Sequence, residues 1–80
     1  RLKDPKFRKA WEESEAEYLV SKALTEKRLV SRMSQRVLAK KAKTTQAVIS
    51  RIEGMSANPS INLLKKIAAV FGSRLIISFT

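Results

Sequence analysis

The sequence predicts a mainly α fold of five helices followed by one C-terminal β-strand. Three observations lead there. Apolar residues recur at i, i+3, i+4 spacing through most of the chain. Gly and Pro are absent between positions 6 and 53, while Asp, Ser and Thr stand where helices would begin. Only the tail 74–80 switches to alternation, with Leu75, Ile77 and Phe79 set against Arg74, Ile76, Ser78 and Thr80. At 80 residues the chain makes one small domain with a modest core, which a dimer would help stabilise.

Asp4-Pro5 reads as a helix start, with Asp as N-cap and Pro at the first helical position, where its missing N–H costs nothing. Phe7, Ala10 and Trp11 then form a stripe on a short helix over 6–14, ahead of an acidic patch at 12–17. Whether the helix continues or breaks near Ser14 stays open. A second stripe holds Ala16, Leu19, Val20, Ala23 and Leu24, and its helix frays around 29–32. Ser34 caps a third helix, with Val37, Leu38 and Ala42 on the buried side and Ala39 small enough for a close neighbour. Thr44-Thr45 offers the next cap, after which Val48, Ile49 and Ile52 face inward and Gly54 ends the helix at C′. Residues 54–59 form a loop rich in Gly, Ser, Asn and Pro. Ser60 starts a last helix with Ile61, Leu64, Ile67, Ala68 and Phe71, and Gly72 stops it. The terminal strand needs a partner. With no second strand candidate in the chain, that partner is the same strand of another copy, through Leu75, Ile76, Ile77 and Phe79. The alternative is an extended arm packed on its own helices.

Charge separates the chain into two parts. Residues 1–20 carry five basic and five acidic side chains, whereas residues 21–80 carry twelve basic side chains against Glu26 and Glu53. The whole formal charge of +10 therefore lies in the last three quarters, a distribution that suggests a phosphate-rich partner or an anionic surface. Without Cys there is no disulfide frame, and without His as well the common metal sites and nucleophile–base pairs are missing. Glu12, Glu13, Glu15 and Glu17 stand too close together to flank a substrate cleft. No catalytic residue, cofactor or metal is expected. No apolar run approaches the roughly 18 residues of a membrane span, and no secretory signal is visible, so a cytoplasmic protein without a membrane partner is expected.

The functional unit is the pair of short helices at 34–41 and 45–53. Their layout is that of a helix-turn-helix. Thr45, Gln46 and Ala47 open the second helix, with Ser50 and Arg51 further along the same face. Gln pairs with adenine in a bidentate way, a methyl group meets thymine, and Arg reaches guanine or phosphate. The helix starts at Ser34 and Thr45 offer free N–H groups to phosphate oxygens. The chain then divides into an N-terminal helical extension (1–15), a helix-turn-helix DNA-binding domain (16–72) and a C-terminal dimerisation strand (73–80).

This stretch resembles the Cro/repressor type of helix-turn-helix, the XRE family, whose fold is lambda-repressor-like. The resemblance rests on Ser34-Gln35-x-x-Leu38-Ala39, Thr45-Gln46-x-x-Ile49-Ser50-x-x-Glu53 and Asn58-Pro59-Ser60 before the last helix, and it covers about residues 24–72. It implies that Gln35 bonds a phosphate, that Thr45, Gln46, Ala47 and Arg51 occupy recognition positions, and that Asn58 touches the DNA backbone. It implies that Glu53 and Arg28 are fold residues that pair. Two places depart from the family pattern. Lys43 stands where Gly often takes a left-handed conformation, which a Lys adopts at a cost of roughly 1 kcal/mol and from which it would face phosphate. The loop after Glu53 reads Gly54-Met55-Ser56-Ala57 and lacks the usual cations. With Ser34, Arg36, Lys43, Thr44 and Ser50, these positions make up the expected contact set for double-stranded operator DNA.

The two ends are similar to those of HigA-type antitoxins, in the Asp-Pro-x-Phe-Arg opening, the acidic run 12–17 and the apolar tail. This likeness implies a repressor that also binds and neutralises a small basic ribonuclease toxin of the RelE/HigB type and regulates its own operon. Phe7, Trp11, Glu12, Glu15 and Tyr18 would meet the toxin, since aromatic anchors beside complementary charge make interfaces. The alternatives are a stand-alone phage- or plasmid-type repressor, and an N-terminal segment whose Phe7 and Trp11 cap the chain's own core.

Overall fold

The computed structural model describes residues 3–80. Positions 1 and 2, counted above into the extension, lie outside the described residues. In chain order come α1 Pro5–Val30, α2 Gln35–Lys41, α3 Gln46–Glu53 and α4 Ile61–Val70. Each begins where a short polar side chain turns back on the first turn. Lys6 N–H donates to Asp4 Oδ1 at 2.9 Å, Val37 N–H to Ser34 Oγ at 3.1 Å, Val48 N–H to Thr45 Oγ1 at 3.2 Å and Leu63 N–H to Ser60 Oγ at 3.0 Å. These are the orphan donors of a helix start, satisfied one by one.

The expected five helices become four among the described residues, because the first two stripes join into α1. The acidic run gives the backbone no reason to stop. Glu is a good helix former, and most of these carboxylates are exposed. Ser14 is absorbed by donating its Oγ–H to Ala10 O at 2.9 Å. The result is a rod of 26 residues, roughly 39 Å long at 1.5 Å per residue.

The helix ends follow one pattern. After α2, Thr44 N–H donates to Ala39 O at 2.9 Å and Lys43 N–H to Lys40 O at 3.2 Å, with Lys43 at φ 58°. This is a Schellman turn. It recurs after α1 with Arg32 at φ 55°, after α3 with Met55 at φ 62° and after α4 with Gly72 at φ 66°. Gly54 is therefore not at C′ as expected. It is the C-cap, at φ −84°, and the left-handed residue is Met55.

The core is small and lies wholly in the body. Leu24, Leu38, Ala39, Ala42, Ile49, Ile52 and Ile67 are buried, with Leu38 and Ile49 at 0% exposure. Val20, Leu63, Val70 and Phe71 pack against this cluster from α1, α4 and its end.

The expected C-terminal strand is not formed among the described residues; 73–80 run without regular structure. Alternation supplies a sided segment, but a strand exists only through a hydrogen-bonded neighbour, and α1 to α4 offer none. Leu75 and Ile76 instead line an apolar groove with Leu19, Leu64 and Phe71. Among the described residues no helix is long and apolar enough to cross a membrane.

Candidate nucleic-acid interface

α3 has two faces. Ile49 and Ile52 are buried, and half-buried Val48 packs beside them. Gln46, Ala47, Ser50 and Arg51 are exposed on the other side. The spacing 46, 47, 50, 51 sets them along one stripe of about two turns. The stripe combines amide, methyl, hydroxyl and guanidinium groups, the kinds that read base edges in a major groove. α2 packs against α3, and Ala39 within it and Ala42 at its C-cap are buried with nothing larger than a methyl group, as close helix approach needs.

The far end of α3 is clamped. Glu53 accepts from Arg28 Nε at 2.7 Å and from Arg28 Nη2 at 3.0 Å, a bidentate pair. Gln35 Nε2 donates to Glu53 Oε1 at 3.0 Å, and Ser21 Oγ–H donates to the Glu53 carbonyl at 2.6 Å. Arg28 Nη1 also holds Met33 O at 2.9 Å. One carboxylate thus joins α1, α2 and α3. Burial alone would push its pKa up, but the hydrogen bonds from Arg28, Gln35 and Thr25 and the Arg28 charge outweigh it and hold it below the ordinary value. The Glu53 hydrogen bond raises the Arg28 pKa against a smaller burial effect. The resemblance-based pairing of these two residues is present in the structure.

The other expected DNA contacts fall as follows. Ser34, Arg36, Lys43, Thr45 and Asn58 are exposed. Ser34 and Thr45 use their side-chain oxygens as caps, leaving N–H groups of the first helical turns outward. Thr44 is half-buried, and Gln35 is half-buried with its amide on Glu53. That bond between Gln35 and Glu53, and the one from Ser21, went unforeseen. They join residues 18 and 32 positions apart, and no local pattern signals such a pairing.

The expected toxin contacts stand on the front half of α1. Trp11 and Tyr18 are two turns apart with ring centroids at 5.3 Å. Phe7 and Tyr18 are each 37% exposed, Glu12 and Glu15 are exposed, and Trp11 is half-buried. Of the expected dimer residues, Leu75 is half-buried, while Ile76, Ile77 and Phe79 are exposed.

A family profile described as helix-turn-helix matches residues 24–76. The chain belongs to the HTH_3 family. The match starts at Leu24, the first core residue, and spans the whole two-faced unit described above. As an HTH_3 protein of the XRE type, it is a DNA-binding transcriptional regulator. Comparison with the curated proteins and with the solved structures gives no match. The HTH_3 match leaves the front of α1 outside it.

Proposed function

We propose that this HTH_3 regulator is a sequence-specific, dimeric operator-binding repressor that also serves as the antitoxin of a small basic ribonuclease. One observation supports this reading above the others. A single helix carries the DNA-binding body at one end and, outside the family match, an aromatic and acidic face at the other. Phe7, Trp11 and Tyr18 recur at helical spacing, with Glu12 and Glu15 beside them. A basic partner finds both its apolar anchors and its counter-charges there. Ile76, Ile77 and Phe79 supply the dimer surface by side-chain packing, and two copies then span half-sites about 34 Å apart.

Selection from random duplexes tests the first part, and a two-fold-related site is expected. The second part uses a small basic ribonuclease retained by the full chain from its native source. The full chain should suppress its RNA cleavage, and a Phe7→Ala/Trp11→Ala variant should not, while binding the selected duplex as before. A selected operator with undiminished cleavage would leave a stand-alone repressor.

A further inference from the structure

Three lysines from three different segments surround one hollow. Lys41 closes α2, Lys43 stands in the turn and Lys66 lies on α4; with Ala42, Ala69 and Val70 they line an open cleft of about 430 Å³. All three lysines are exposed. No carboxylate is among the residues lining the cleft. Beyond position 20 the chain holds only Glu26 and Glu53, and Glu53 is taken by Arg28. Three cationic side chains lining one depression with no carboxylate among them repel each other, and a multivalent anion relieves that repulsion.

The position of the cleft says which anion. Lys43 precedes Gln46, the first residue of α3, by three residues, at most roughly 11 Å of chain. The start of α3 is the end that enters the groove. A DNA strand offers a phosphate for about every 3.4 Å of rise, so the reach from Lys43 to the start of α3 spans only about three phosphate spacings. We propose that Lys41, Lys43 and Lys66 together form a phosphate cleft that grips the DNA backbone beside the bases read by α3. The inference rests on the DNA-binding reading and adds Lys41 and Lys66, which belong to neither α3 nor the turn. Such contacts set register and affinity without reading sequence.

The test is the salt dependence of binding to a fluorescein-labelled duplex of random sequence, measured by anisotropy on the full chain. Each lost phosphate contact lowers the slope of log Kobs against log salt by about 0.9. A Lys41→Gln/Lys66→Gln variant should lose about 1.8 of that slope, with its thermal midpoint unchanged. A Lys22→Gln/Lys27→Gln control removes the same charge from α1 and should keep the wild-type slope. An unchanged slope in the first variant overturns the cleft, and so does an equal loss in the control, which would mean a diffuse field. Saturable binding of inorganic phosphate at Lys41 and Lys66 with an unchanged duplex slope would mean a small-anion site and would also overturn it. Failure of the wild type to bind any duplex would instead overturn the DNA-binding reading, and the cleft with it.

Discussion

The two halves of α1 share one backbone and differ in what holds them. Behind Leu24 the helix is fixed by core contact and by Arg28 on Glu53. Ahead of Leu19 it buries no residue completely among those described. Asp4 as cap, Pro5, helix-forming glutamates and the Trp11–Tyr18 contact are among the supports of the front. Helical segments of fewer than roughly 12–15 residues are marginal in water without tertiary support. The front half is therefore helical because the back half nucleates it. The difference teaches that a continuous helix need not be uniformly stable.

The strongest way to break this comparison is to unfold the back half. Leu38→Ala deletes a side chain at 0% exposure and should cost about 2–5 kcal/mol, a large share of a small domain's stability. Circular dichroism should then show the front of α1 lost together with the body. A front that stays helical would mean that it stands alone.

Glu53→Gln comes next and should cost about 2–4 kcal/mol near neutral pH, since Arg28 loses its counter-charge. Its pH dependence follows from the lowered Glu53 pKa. The unfolded carboxyl, near 4.5, takes up a proton before the folded one does. The stabilisation is complete above that value and disappears as pH falls through the lower folded value. Denaturant midpoints followed from about pH 7 to about pH 3 should show the wild type converging on the variant in that acid window.

A smaller effect separates the two glycines of the body. Gly72→Ala places a Cβ at φ +66° and should cost about 1–2 kcal/mol although nothing lies within 4 Å. Gly54→Ala keeps φ −84°, and its Cβ meets Ser50 O at 3.3 Å, so a change of only about 0.5 kcal/mol is expected. Equal losses in thermal denaturation would undo the assignment of Met55 as the left-handed residue.

A small effect on stability also belongs to the front. Trp11→Ala should cost no more than about 1 kcal/mol globally. Hydrogen exchange should show amides at 12–17 opening well below the global free energy, and those around Leu24 opening only with it. Uniform protection along α1 would erase the difference between its halves.

Much of this was legible in the residues. Asp4, Ser34, Thr45 and Ser60 announced their helices because capping is local chemistry. The spacing of Leu38, Ile49 and Ile52 announced the core side because helical period is local as well. The continuity of α1 was not legible, since an acidic run suits a helix and a loop equally. Gly54 misled because a Schellman turn needs a left-handed residue and does not name it; here Met55 takes that place. The tail misled because alternation describes one side of a strand and says nothing about its neighbour. The meeting of Lys66 with Lys41 depends on how α4 crosses α2, which no window of sequence contains. Of the candidate interface, the stripe on α3 was readable from residue type, and the attachment of Gln35 to Glu53 was not.

The uncompensated lysines carry one more consequence, for turnover. A chain that repels itself when free becomes more stable when a polyanion occupies it. By mass action, duplex at a hundred times its dissociation constant adds about 2.7 kcal/mol to the folded state. Copies off the DNA unfold more often than copies on it, and proteases act on the open chain. Bound duplex thereby holds a share of the chain in the folded form, and unbound copies are the ones that open first.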